Sequence, residues 1–126
     1  MDAVYPRDSP KPAGHYAPAI IHNGLVYVSG QLPLDLKTRE PFTGDIRKQT
    51  ELALRNVEAV LRGAGTDLQR VLQMTIYISD VELWGMVNEA YAQVLGNHRP
   101  ARAIVPVKAL HFGTDIEIQA IAALKE

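Results

Sequence analysis

Ala19-Ile-Ile-His-Asn-Gly-Leu-Val-Tyr-Val-Ser29 places an Asn-Gly pair between two short apolar runs. Asn and Gly tolerate the positive φ angles of a two-residue turn, and the turns they favour match the twist of the strands they join. The stretch predicts a β-hairpin with arms Ala19–His22 and Leu25–Ser29. On its N-terminal side, prolines at 6, 10, 12 and 18 fix φ and interrupt any helix. Residues 1–15 are therefore expected to run extended and to order by docking.

On the C-terminal side, Pro33 to Gly44 has no apolar period and reads as a surface loop. Asp45 is placed to cap a helix in which Ile46, Ala53, Val57, Val60, Leu61 and Ala64 recur at helical spacing, with Gly63-Ala-Gly65 as its stop. Val71–Ser79 is a strand by its β-branched content, and Ser79-Asp-Val-Glu82 fits a capping box that opens a second helix ending near Gly96. Leu83, Trp84, Val87, Ala90, Tyr91 and Val94 form that helix's apolar face, with Trp84 and Tyr91 read as packing groups.

Two more strand-like runs close the chain, Arg99-Pro-Ala-Arg-Ala-Ile-Val-Pro-Val107 and Asp115-Ile-Glu-Ile-Gln-Ala-Ile-Ala-Ala-Leu124. The order hairpin, helix, strand, helix, strand, strand is an α+β arrangement of two helices and at least five strands in one domain, residues 1–126. Two helices cover one face of such a sheet, yet Ile116, Ile118 and Ile121 provide apolar groups for both. The uncovered face implies self-association.

Composition narrows the function classes. With 47% hydrophobic and 21% charged residues, the 126-residue chain has the make-up of a soluble globular domain. Its lack of cysteine excludes a disulfide framework, a thiolate nucleophile and Cys-ligated zinc, and permits a reducing compartment. A formal net charge of −1, with scattered basic residues, is a poor footprint for nucleic acid. Met1-Asp-Ala-Val-Tyr-Pro-Arg-Asp8 has neither a basic flank nor an apolar h-region, so no secretion signal, no membrane insertion and a cytoplasmic location are expected. Histidines 15, 22, 98 and 111 show no ligand spacing, and no metal is expected.

Arg102 and Glu117 interrupt the two closing strands. An ionised side chain in a buried strand must be paired or must face a cleft. The two could pair with each other across the sheet, or the arginine could bind a small carboxylate. Lys108 to Thr114 fixes no turn type, so the register between the strands is open.

Four blocks in order bear on that choice: Gly14-His-Tyr-Ala-Pro-Ala19, Val26-Tyr-Val-Ser-Gly-Gln-Leu-Pro33, Val87-Asn-Glu-Ala-Tyr91, and Pro100-Ala-Arg-Ala103 with Ile116-Glu-Ile-Gln-Ala-Ile-Ala122. From Pro12 to Leu124 the chain resembles the Rid/YjgF family of imine deaminases, whose members are also described as L-PSP endoribonuclease-like. The resemblance implies a chorismate-mutase-like α+β fold, a mixed sheet with two helices on one face, and a homotrimer with active-site clefts between subunits. It implies hydrolysis of 2-imino acids and their enamines, such as 2-iminobutanoate and 2-iminopropanoate, to 2-oxo acids and ammonium, without a cofactor.

By the same resemblance, Arg102 grips the substrate carboxylate, a task that suits a planar guanidinium with parallel donors. Glu117 matches the first glutamate of a Glu-x-Glu strand and would place or activate water, while Gln119 leaves the second acidic position neutral. Tyr16 is expected at the cleft rim. Ser29 and Gly30 would offer a hydroxyl and a backbone N–H to the ligand, Asn88 would contact ligand or backbone, and Ile104 would make the pocket wall apolar. His15, His111 and Phe112 depart from the family pattern, which leaves the preferred side chain open.

Three other readings share these residues. A binder of small carboxylates without turnover would use the same arginine. A deaminase dedicated to an aminated dicarboxylate would require a second cation, with Lys108 and His111 as candidates. An endoribonuclease or translation inhibitor would require a basic groove or stacking platform, which 6% aromatic content does not favour.

Overall fold

The structure is a computed structural model that describes residues 1–7 and 11–125. The hairpin forms as its turn chemistry dictates: β2 (Ala19–His22) and β3 (Leu25–Gln31) pair antiparallel, and Asn23 and Gly24 take φ of 50° and 78°. A further strand, β1 (Asp2–Val4), joins β2 antiparallel. The expected extended entry thus begins as an edge strand; Asp8–Pro10 lie outside the described residues.

Asp45 caps α1 (Ile46–Gly63), its carboxylate accepting from the Lys48 N–H. The chain then forms β4 (Val71–Ile78), α2 (Trp84–Leu95), β5 (Ala101–Pro106) and β6 (Ile116–Ala123). The capping box at Ser79 does not form. Asp80 caps a short 3-10 turn, Val81–Leu83, ahead of α2, and the Ser79 hydroxyl donates instead to the Asp115 carboxylate at 2.6 Å. Gly96, at φ 63°, ends α2 as expected.

The sheet order is β1-β2-β3-β6-β4-β5, with only β4 and β5 parallel. β6 therefore enters between β3 and β4, and β5 is an edge strand. Register partners share a face, so Met74, Ile76, Ile78, Ile116, Ile118, Ala120 and Ala122 form one layer with Val26 and Val28. Ala53, Leu54, Val57 and Leu61 of α1, with Val87, Tyr91 and Leu95 of α2, cover that layer and complete the core. The opposite face carries Tyr27, Thr75, Tyr77, Val105, Glu117, Gln119 and Ile121 and, among the described residues, has no helix over it. Ile116 and Ile118 thus face the helices, and Ile121 faces away. Among the described residues no helix is long and apolar enough to cross a membrane.

Candidate active site

Arg102 and Glu117 do not meet. β4 lies between their strands, and the register sets Arg102 beside Met74 but Glu117 beside Tyr77. Alternate residues of a strand point to opposite faces, so Arg102 lies on the helix face and Glu117 on the open face. Cross-sheet pairing of the two is excluded within one copy of the chain.

The expected site residues instead fall into two groups. The first surrounds Arg102 at the β5 edge. Its guanidinium donates from Nη1 to the Asn88 Oδ1 at 2.9 Å and lies 4.9 Å from the Tyr91 ring centroid and 5.6 Å from that of Trp84. Ion-to-ring attraction at such distances contributes about 0.5–2 kcal/mol, according to desolvation. Trp84 is 44% exposed, so it is not the packing group expected; with Tyr91 it builds a shelf for Arg102. Ile104, two residues along the same strand face, packs against the core.

Tyr91 packs into the core as expected, and its hydroxyl is the unexpected feature. It is 6% exposed, and its hydroxyl is buried without a hydrogen-bond partner among the described residues. Burial pushes the phenol above its ordinary range, while the Arg102 charge pulls it partly back. Trp84, Asn88 and Tyr91 follow i, i+4, i+7 spacing, one stripe of α2. That stripe is visible in the sequence, but a core face shows the same spacing, and the shelf is defined only by β5 lying beside α2.

A cavity of about 490 Å³ opens beside this group, lined by Asn88, Tyr91, Ala92, Leu95, Gly96, His98, Arg99, Pro100 and Arg102. It is within the size range of small-molecule sites. Its lining carries two guanidinium groups and no carboxylate.

The second group gathers around a bulge in β3, where the register with β6 shifts between Val28 and Gln31. Gly30 is needed there for close approach, because a Cβ would overlap the Glu117 carboxylate and lie 2.9 Å from its Cδ. The Ser29 hydroxyl donates to the Ala17 carbonyl at 2.7 Å and the Ser29 N–H to that of Pro18, which ties down the segment carrying Tyr16. Ser29 thus spends its proton on the fold and keeps only lone pairs for a ligand. Tyr16 is 52% exposed and lines a second cavity of about 330 Å³ with Tyr5, Lys11 and His15.

Three strand spacings separate β3 from β5, roughly 14 Å, and the groups face opposite ways. Lys108 and His111 line neither of these two cavities, and the His111 ring lies 3.8 Å from that of Phe112. Among the described residues, no three His, Cys, Asp or Glu side chains are grouped as a metal would require.

Comparison with known proteins agrees with the blocks read from sequence. Residues 6–124 match the model of the family described as endoribonuclease L-PSP. A RutC family protein of Pyrococcus horikoshii is 39% identical over 121 residues, 96% of this chain and 96% of that protein. The 2-iminobutanoate/2-iminopropanoate deaminase of Rattus norvegicus is 35% identical over 90% of this chain and 83% of its own. The crystal structure of E. coli TdcF with bound serine superposes with a TM-score of 0.91 at 30% identity, covering 99% of this chain and 100% of that one.

Proposed function

The chain belongs to the endoribonuclease L-PSP family, the Rid/YjgF family, and from that premise we propose that it hydrolyses small 2-imino acids to 2-oxo acids and ammonium. The observation that carries this reading is Arg102, held over Tyr91 by Asn88 at the wall of a cavity whose lining has no carboxylate. A guanidinium fixed in this way without an acidic partner among the described residues is an anchor for a carboxylate from outside. The relatives support that chemistry, since the rat protein is named for 2-imino acids and the TdcF crystal holds serine, a small α-carboxylate.

The reaction asks little of the protein. Water adds to the iminium carbon, the C–N bond breaks, and the nitrogen leaves as ammonium while the former water oxygen becomes the 2-oxo group. The substrate is already electrophilic, so holding its carboxylate and placing one water supply most of the advantage. In this proposal Arg102 and Asn88 hold the carboxylate, Glu117 orients the water and moves its protons, and Tyr16 and the Gly30 backbone border the reacting carbon.

One copy cannot assemble that site, because Arg102 and Glu117 face opposite ways. We therefore place the cleft between copies, with the open sheet faces inward in a homotrimer and the β5 edge of one copy against the β3 bulge of the next. The exposed apolar groups of that face, Tyr27 and Val105 among them, support this arrangement.

The test generates 2-iminobutanoate with a threonine dehydratase and traps it with semicarbazide, comparing wild type with Arg102→Ala. Wild type should suppress semicarbazone formation and the variant, folded and of equal sedimentation coefficient, should not. Suppression by both would remove Arg102 from the chemistry; suppression by neither would overturn the deaminase reading.

A further inference from the structure

The cavity wall that carries Arg102 also carries Arg99, three residues earlier and outside every role assigned so far. No salt bridge holds Arg99 among the described residues, and no acidic side chain lines the cavity. Its neighbours fix its place. The His98 ring bonds the Val71 carbonyl through Nε2 at 2.8 Å, its backbone N–H bonds the Leu95 carbonyl, and Pro100 restricts φ on the other side. Arg99 is therefore set between two anchored residues at the entrance to β5, at most about 11 Å from Arg102 along the chain.

Two guanidinium groups on one concavity repel each other, and a single carboxylate relieves only half of that charge. A ligand with two carboxylates would neutralise both. We propose that Arg99 is a specificity-determining residue that selects 2-imino acids with a second, side-chain carboxylate. The inference rests on the deaminase reading for the reaction and on this cavity for the choice of substrate. It also moves the second cation away from Lys108 and His111, which lie outside the cavity.

The test has a binding arm and a turnover arm. Calorimetry with the stable products compares 2-oxoglutarate with 2-oxobutanoate on wild type, Arg99→Ala and Arg99→Lys. Arg99 is exposed in the single chain, so wild type should bind 2-oxoglutarate about twofold to fivefold more tightly than 2-oxobutanoate, the range of an ion pair to an exposed guanidinium. Arg99→Ala should bring that ratio to near one, and Arg99→Lys should restore part of it. In the turnover arm, 2-iminoglutarate made by a glutamate oxidase and 2-iminobutanoate should show the same order in kcat/KM, with the ratio falling in Arg99→Ala. Equal ratios in wild type and Arg99→Ala overturn the assignment. Absence of hydrolysis of either imine, with the binding ratio intact, sinks the deaminase reading and leaves the second-carboxylate site standing.

Discussion

Replacing Gly30 with alanine separates the chemistry from the fold by one methyl group. Gly30 does not use a left-handed φ, so alanine fits its backbone and stiffens the unfolded chain, a gain of about 0.4–1 kcal/mol. The added Cβ would overlap the Glu117 carboxylate and lie 2.9 Å from Cδ and 3.2 Å from Cγ. These atoms end a flexible side chain, so Glu117 can swing aside at an overpacking cost of about 1–3 kcal/mol. The net loss of stability should be about 1 kcal/mol, or a fall in Tm of about 5 °C. Activity should suffer more, because a displaced carboxylate forfeits an acid–base contribution of about 10²–10⁴. Semicarbazide competition measures the rate and thermal unfolding the stability. A kcat/KM within about threefold of wild type, with the small Tm loss, would refute the reasoning, since Glu117 would then have no dependence on its seat against Gly30.

Arg102→Lys keeps the charge but loses the planar fork, the Asn88 hydrogen bond geometry and much of the aromatic contact; kcat/KM should fall by about 10²-fold or more, near 2.7 kcal/mol, with sedimentation unchanged. Tyr91 should ionise above the ordinary phenol range in a spectroscopic titration, and Tyr91→Phe should remove that late component. Because its folded pKa is raised, the unfolded phenol loses its proton first, so stability should be flat below the ordinary value of about 10 and decline as pH rises from there to the folded value. Mixing Arg102→Ala with Glu117→Gln and reassembling the oligomer should recover about a quarter of wild-type activity if each cleft draws the two residues from different copies, and none if one copy supplies both.

What could be read from sequence was local. Asn23-Gly24 determines its own turn, Asp45 its own cap, and the stripe of α1 its buried side, because each depends on residues within a few positions. Strand order depends on pairing across the chain. No residue between Lys108 and Thr114 announces that β6 will enter between β3 and β4, yet that choice separates Arg102 from Glu117. β1 was hidden for a related reason, since three residues carry too little pattern to declare a strand that forms by docking on β2. Trp84 was misread because aromatic residues at helical spacing describe a core face and a cation shelf equally well, and only the placement of β5 beside α2 decides between them; Tyr91 packs in the core as expected and also lies under Arg102. Arg99 gave no signal apart from charge, and its meaning came from sharing a wall with Arg102.

The division of the candidate site across two faces of one sheet follows from the same topology. A strand presents alternate residues to opposite sides, so residues at odd and even register positions of neighbouring strands cannot meet without crossing the sheet. Arg102 is paired with Met74 and Glu117 with Tyr77, and Met74 and Tyr77 point opposite ways along β4. Moving Glu117 to the other face would require a one-residue slip of β6, which would also turn that strand's core row Ile116, Ile118 and Ala120 outward. Burial of that row therefore fixes the separation of the two charges. A site that uses both must be closed by a second copy, and the unpaired β5 edge, next to Arg102 and remote from the β3 bulge of its own chain, is where that copy would have to come.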